Sequence, residues 1–80
     1  MADLTPEQID HIRARSVELT HRELQILKLR ADGLSCRMIS EELGITFERV
    51  KHISLQTLRR LGADNMPHAV ALAMRRKIIE

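Results

Sequence analysis

The sequence predicts an all-α fold of five short helices, and three observations support this. The 80-residue chain is 44% hydrophobic but only 1% aromatic, so its core must consist of aliphatic side chains and methionine, a mixture that favours helices over strands. Helix N-cap residues recur along the chain, and each of the three glycines follows an amphipathic stretch where a helix would end. No segment has the pattern of a strand.

Length and composition limit the possible functions. Eighty residues form one domain, close to the smallest size that a hydrophobic core alone can stabilise. The single cysteine, Cys36, cannot form an internal disulfide, and the four histidines lie on different predicted helices. No apolar run approaches the roughly 18 residues that cross a bilayer, and the acidic start is unlike a secretory signal. We therefore expect a cytosolic protein that is not an enzyme and needs no metal or cofactor.

The first predicted helix begins at Pro6. Thr5 is placed as its N-cap, and the fixed φ of Pro6 suits the first helical turn. This helix is expected to end near Arg15 and, being too short to be stable alone, to dock on the rest of the protein. Residues 1–18 are accordingly predicted to be an N-terminal helical extension, and residues 19–80 the main domain.

The second predicted helix starts with a similar combination of residues. Thr20 is placed as N-cap, and Glu23, three residues later, completes a capping box. Apolar residues occur on two faces of the following turns, which predicts a helix covered on both sides. Gly33 is expected to end it in a left-handed conformation.

The next two predicted helices are joined by a tight turn. A short helix follows the N-cap Ser35, ends at Gly44, and should direct three side chains inward, Met38, Ile39 and Leu43. A longer helix, about 47–61, begins after the N-cap Thr46. A short capped helix, a turn that contains glycine and a longer second helix are the layout of a helix-turn-helix.

The longer helix has one apolar face and one polar, mostly basic face. The inner face is formed by Val50, Ser54, Thr57 and Leu61, with Ile53 and Leu58 beside them. The outer face is formed by Glu48, His52, Leu55, Gln56 and Arg59, with Arg49, Lys51 and Arg60 beside them. Residues 49–80 contain seven basic residues (Lys and Arg) and two acidic residues, whereas residues 1–48 contain six basic and nine acidic residues. The second half of the chain is therefore expected to face an anionic partner.

The last predicted helix, about 67–77, opens at Pro67 and is more apolar than a small bundle needs on one face. Its apolar side chains are Ala69, Val70, Leu72, Ala73 and Met74, and some apolar surface is expected to remain there for a partner. Two alternatives remain open at this stage: the surface closes the protein's own core, or residues 5–15 cover it.

From Leu19 to about Ala73 the residues resemble the C-terminal DNA-binding domain of LuxR-type regulators, also called the GerE-type domain. The resemblance is carried by Leu19-Thr20, Arg22-Glu23, Ile26-Leu27, Leu29, Ala31, Gly33-Leu34-Ser35, Arg37, Ile39, Glu42-Leu43, Ile45, Val50-Lys51, Leu61, Asn65 and Ala69-Val70. It implies a four-helix bundle in which helix 47–61 enters the DNA major groove and helix 67–77 forms a two-fold dimer. The homodimer interface is then expected to be formed by Ala69, Val70, Leu72 and Ala73. The chain departs from the family pattern at Arg49, Ile53, Thr57 and Met66.

A second, local resemblance is to region four of primary sigma factors, over residues 44–53 and 58–61. Both resemblances imply binding of double-stranded DNA by a transcriptional regulator. Base contacts are then expected from Glu48, Lys51, His52, Leu55 and Gln56. Phosphate contacts are expected from Ser35, Arg37, Thr46, Arg49, Arg59 and Arg60. Phe47, the only aromatic residue, is expected to pack against the preceding helix.

A different function remains open. The same fold could be a protein-interaction module that binds another regulator or RNA polymerase and binds DNA weakly or not at all. Ile53, Leu55 and the acidic first half of the chain favour this alternative. Cys36, in the first turn of a predicted helix, is expected to be an inert small side chain rather than a redox sensor.

Overall fold

The computed structural model describes Thr5 and residues 19–80, and within residues 19–80 every regular element is a helix. These elements are α1 (His21–Ala31), α2 (Cys36–Leu43), α3 (Phe47–Leu61) and α4 (Met66–Arg75). The all-α prediction and the four-helix core are confirmed. The predicted N-terminal helix and, apart from Thr5, the extension over residues 1–18 lie outside the described residues.

Each helix starts at a capping residue, and for α1, α2 and α3 it is the residue that the sequence predicts. Thr20, Ser35 and Thr46 each accept, through the side-chain hydroxyl, a hydrogen bond from the backbone N–H three residues later. The side chain of Asn65 does the same for α4, which therefore begins just before Pro67. These bonds satisfy backbone donors that have no partner within the helix.

The turn between α2 and α3 depends on Gly44. This residue has φ +67° and forms the left-handed C-cap of α2, and its N–H donates to the Ser40 carbonyl. A Cβ atom there would meet no other atom within 4 Å, so the cost of a side chain is conformational rather than steric. The turn sets the angle at which α3 leaves α2.

Replacing Gly44 by alanine is expected to lower the free energy of unfolding by about 1–2 kcal/mol, the cost of left-handed backbone for a residue with a Cβ. Urea denaturation followed by circular dichroism measures this loss. Gly44→Asn is the matched control, because asparagine tolerates this conformation better and should lose less. Equal losses for the two variants would contradict a conformational origin.

The core consists of two buried clusters, and α1 and α3 contribute side chains to both. One contains Leu27, Leu61, Ala69, Ala73 and Ile79. The other contains Ile26, Ile39, Val50 and Ile53. Because the adjacent residues Ile26 and Leu27 of α1 belong to different clusters, α1 is covered on two sides, as predicted. Helices α1 and α3 each pack against all three other helices. These contacts fix the position of α3 in the bundle.

Two packing predictions are wrong in part. Met38 was expected to face inward, yet it is 51% exposed, and on α2 only Ile39 is fully buried. Ala69 and Ala73 were expected at a dimer interface, yet both are 0% exposed. They pack with Leu27 and Leu61 in the chain's own core, so they present no surface to a second copy.

The outward side of α4 is a different set of residues. Pro67, Ala71 and Met74 are exposed, whereas Val70 and Leu72 are half-buried. Of the four residues predicted for the dimer interface, only Val70 and Leu72 therefore retain exposed surface.

Candidate nucleic-acid interface

The rotation of α3 about its axis is fixed by its buried face. Val50 and Ile53 lie in one core cluster and Leu61 in the other. The two buried polar residues of this face are satisfied locally, since Ser54 Oγ donates to the Val50 carbonyl at 2.8 Å and Thr57 Oγ1 donates to the Ile53 carbonyl at 2.9 Å. Ile53 is only 4% exposed, so it cannot contribute to a protein-binding surface as the alternative function supposed.

The outer face of α3 is exposed along its whole length. All eight residues predicted for this face are exposed: Glu48, Arg49, Lys51, His52, Leu55, Gln56, Arg59 and Arg60. Four of them are Arg or Lys and one is acidic. Leu55, at 52% exposure, is the large apolar residue of this surface. The face combines cations, amide and imidazole groups with an apolar side chain, which is the range of chemistry that major-groove base edges and phosphates require.

The N-terminal ends of α2 and α3 add exposed backbone donors. Ser35 and Thr46 are exposed, and each hydroxyl accepts one N–H, that of Met38 at 3.2 Å and that of Arg49 at 3.0 Å. The other N–H groups of a first helical turn have no intrahelical partner and suit an anion such as phosphate. Arg37, also exposed, lies in the first turn of α2.

Phe47 does not pack into the core as expected. It is half-buried at the start of α3 and is not among the side chains that pack against either cluster. Instead, the guanidinium carbon of Arg37 lies 5.4 Å from the ring centroid and Lys51 Nζ lies 5.5 Å from it. Both distances are within the range of cation–π attraction. One ring therefore contacts two predicted DNA-contacting cations, from α2 and from α3.

Arg60 has a partner that sequence reasoning missed. Its Nε lies 3.0 Å from Oε2 of Glu23, whose side chain is 1% exposed. That oxygen accepts no aligned hydrogen bond within the described part of the chain, so the contact is an ion pair rather than a directed hydrogen bond. The pair joins α3 to α1. Arg60, predicted to contact phosphate, thus has an intramolecular structural role.

Arg76 is a second residue that sequence reasoning missed. Its Nη1 donates to the carbonyl oxygen of Leu61, the last residue of α3, at 3.3 Å. This bond satisfies one of the carbonyls left free at the end of a helix. No local sequence pattern could have revealed it, because Arg76 follows a separate helix.

Thr5 and residues 19–80 contain neither a metal-binding cluster nor a membrane-spanning helix. No cluster of three His, Cys, Asp or Glu side chains in this range is arranged to hold a metal ion. None of the helices there combines the length and hydropathy that a bilayer crossing needs.

The chain is similar to known bacterial regulators. Residues 17–73 match the GerE family, described as bacterial regulatory proteins of the luxR family. The transcriptional activator protein BjaR1 of Bradyrhizobium diazoefficiens is 40% identical over 77 residues, covering 88% of this chain and 32% of BjaR1. The transcriptional regulatory protein YdfI of Bacillus subtilis is 34% identical over 62 residues, covering 78% of this chain and 29% of YdfI.

A third relative is the oxygen regulatory protein NreC of Staphylococcus aureus, 32% identical over 62 residues, covering 78% of this chain and 29% of NreC. The chain therefore spans about a third of the length of these relatives. No solved structure matches it.

Proposed function

Because the chain belongs to the luxR family of bacterial regulatory proteins, which are DNA-binding transcription regulators, we propose that it binds double-stranded DNA sequence-dependently by placing α3 in the major groove. The observation that carries this proposal is the outer face of α3, where every residue predicted to face DNA is exposed. The major groove is about 12 Å wide and admits one α-helix. The resulting complex would regulate transcription.

The proposed contacts fall into two groups. Base edges are contacted from the middle of the outer face, by Glu48, Lys51, His52, Leu55 and Gln56. Phosphates are contacted from the helix starts and the flanks, by Ser35, Arg37, Thr46, Arg49, Arg59 and Arg60. Arg60 also forms the ion pair with Glu23. Gln56 has the amide geometry that suits adenine, and Leu55 suits a thymine methyl group.

The experiment that tests the proposal selects bound duplexes from a random DNA pool at two salt concentrations, followed by fluorescence anisotropy on the enriched sequences. Specific recognition predicts an enriched motif. Its affinity should fall with salt by a log-log slope of about 0.9 for each phosphate contact. Salt-sensitive binding without enrichment of any motif would overturn the sequence-specific regulator.

We further propose that the chain acts as a homodimer through the outward side of α4, since one helix-turn-helix normally needs two half-sites for useful affinity. Exposed Pro67, Ala71 and Met74, with half-buried Val70 beside them, provide an apolar surface on one side of α4. An enriched palindrome in the selection experiment would agree with this dimer, whereas a single half-site would contradict it.

Replacing Met74 by glutamate is expected to weaken dimerisation at least tenfold, because a charge would have to be buried in an apolar interface. Analytical ultracentrifugation measures the change. Met74 is 47% exposed in the single chain, so the fold should remain intact by circular dichroism. Arg75→Ala, at the neighbouring exposed position, lowers the net charge by the same one unit and controls for the change in charge. An unchanged sedimentation profile in Met74→Glu would contradict this interface.

One observation favours a protein partner as the second candidate function. Met38 and Leu55 are each about half exposed, and covering these two apolar side chains would contribute favourably to binding of a protein partner. A complex based on them would depend little on salt, whereas DNA binding through several phosphates depends on it steeply. The salt series in the selection experiment therefore separates the two functions.

A further inference from the structure

Phe47 is the one residue in the candidate interface to which the proposed function assigns no task. It begins α3, is half-buried and is absent from the residues packed against either core cluster. Its ring centroid lies 5.4 Å from the guanidinium carbon of Arg37 and 5.5 Å from Nζ of Lys51. Arg37 belongs to α2 and Lys51 to α3, so the ring connects the two helices across the turn at Gly44.

The two contacts with the Phe47 ring restrain a pair of long cationic side chains. Arg37 and Lys51 both carry a positive charge, and each has a long side chain that loses rotamer freedom when it binds. The negative face of an aromatic ring attracts both cations without neutralising either charge. A carboxylate in the same place would restrain them equally well, but it would also repel phosphate.

We propose that Phe47 is a positioning residue for DNA binding, whose ring orients Arg37 and Lys51 before the DNA arrives. The inference rests on the proposed function, because it assumes that these two cations meet DNA. Part of the entropic cost of ordering them is then met on folding rather than on binding. The phosphate-contacting arginine of α2 and the base-contacting lysine of α3 approach the duplex as one preorganised unit.

The first test needs no DNA. In the free protein, ring currents of Phe47 should shift the ε-methylene protons of Lys51 and the δ-methylene protons of Arg37 away from their usual NMR positions. These shifts should vanish in Phe47→Leu, which keeps an apolar helix-forming residue but has no π face. Methylene shifts identical in the two proteins would overturn the proposal whatever the chain binds.

The second test measures affinity for the enriched duplex. Phe47→Leu is expected to weaken binding about 3- to 10-fold, from two cation–π contacts at a partly exposed site. Phe47→Tyr, which keeps the ring face, should restore affinity to within about twofold of the wild type. Loss of affinity in both variants would indicate a role of Phe47 other than holding cations, and would overturn the proposal.

A double-mutant cycle separates positioning from packing. If the ring acts through Lys51, the effect of Phe47→Leu should fall to about twofold or less when Lys51 is already methionine. Additive effects of the two substitutions, or an affinity of the Phe47→Leu single variant equal to that of the wild type, would overturn the positioning role alone. Failure of the wild-type chain to prefer any duplex would instead overturn the proposed function, and the inference with it.

Discussion

Replacing Glu23 by alanine is expected to lower the free energy of unfolding by about 2–3 kcal/mol. Both carboxylate oxygens are engaged at a side chain that is 1% exposed: Oε1 accepts the Thr20 N–H at 2.9 Å, and Oε2 lies 3.0 Å from Arg60 Nε. Breaking a buried ion pair costs about 3–5 kcal/mol when the remaining charge stays buried. Arg60 is 49% exposed and can turn to water, so the expected cost is lower.

The loss is large for a domain of this size, because small proteins are stabilised by only roughly 0.05–0.15 kcal/mol per residue. Urea denaturation followed by circular dichroism measures it. Glu23→Gln is the matched control, since it keeps the capping hydrogen bond and removes the charge, and it should lose about 1–2 kcal/mol. A Glu23→Gln protein as stable as the wild type would mean that the ion pair contributes nothing and that capping alone explains the alanine result.

The helix starts and ends could be predicted from sequence because they depend on local contacts. A capping hydroxyl bonds an N–H only three residues away, as Thr46 does with Arg49, and Gly44 marks its own left-handed turn. The presence of apolar residues on two faces of α1, at helical spacing, likewise predicted a helix buried on two sides. The outer face of α3 followed from the same periodicity, and its exposure agrees residue by residue.

Contacts between distant parts of the chain could not be predicted in this way. The sequence marks Glu23 as a capping residue, but nothing local indicates that Arg60 of α3 would reach it. For the alanines of α4, the sequence likewise did not indicate which side chains would surround them. Ala69 and Ala73 were expected to be covered by a second copy of the chain, and both are buried, but the side chains around them belong to the same chain. Small residues indicate a close contact without identifying the partner.

Phe47 is an intermediate case. Its spacing from Lys51, four residues along one helix, places the two side chains on the same face and could have indicated their contact. The expectation of core packing gave more weight to the apolar character of the ring than to its attraction for cations. The contribution of Arg37 from α2 could not be predicted locally, because it depends on the angle of the turn between the helices.

Replacing either Lys51 or Arg49 by alanine is expected to weaken specific DNA binding by roughly 1–3 kcal/mol, which is about 5- to 150-fold in Kd. Both side chains are exposed near the start of α3, where the residues of a recognition helix reach DNA. Neither residue is buried in the core, so the helical content should not change. Fluorescence anisotropy on the enriched duplex measures the affinity, and circular dichroism checks the fold.

The two variants should differ in the way that their DNA binding is weakened. Loss of a base contact at Lys51 relaxes sequence preference, whereas loss of a phosphate contact at Arg49 weakens all duplexes similarly and lowers the salt slope by about 0.9. Lys28→Ala is the charge-matched control, because Lys28 is exposed in the last turn of α1, outside the candidate interface. If Lys28→Ala weakens binding as much as the other two, the interaction is a diffuse attraction between charges. If neither Lys51 nor Arg49 affects binding, the outer face of α3 is not the surface that meets DNA.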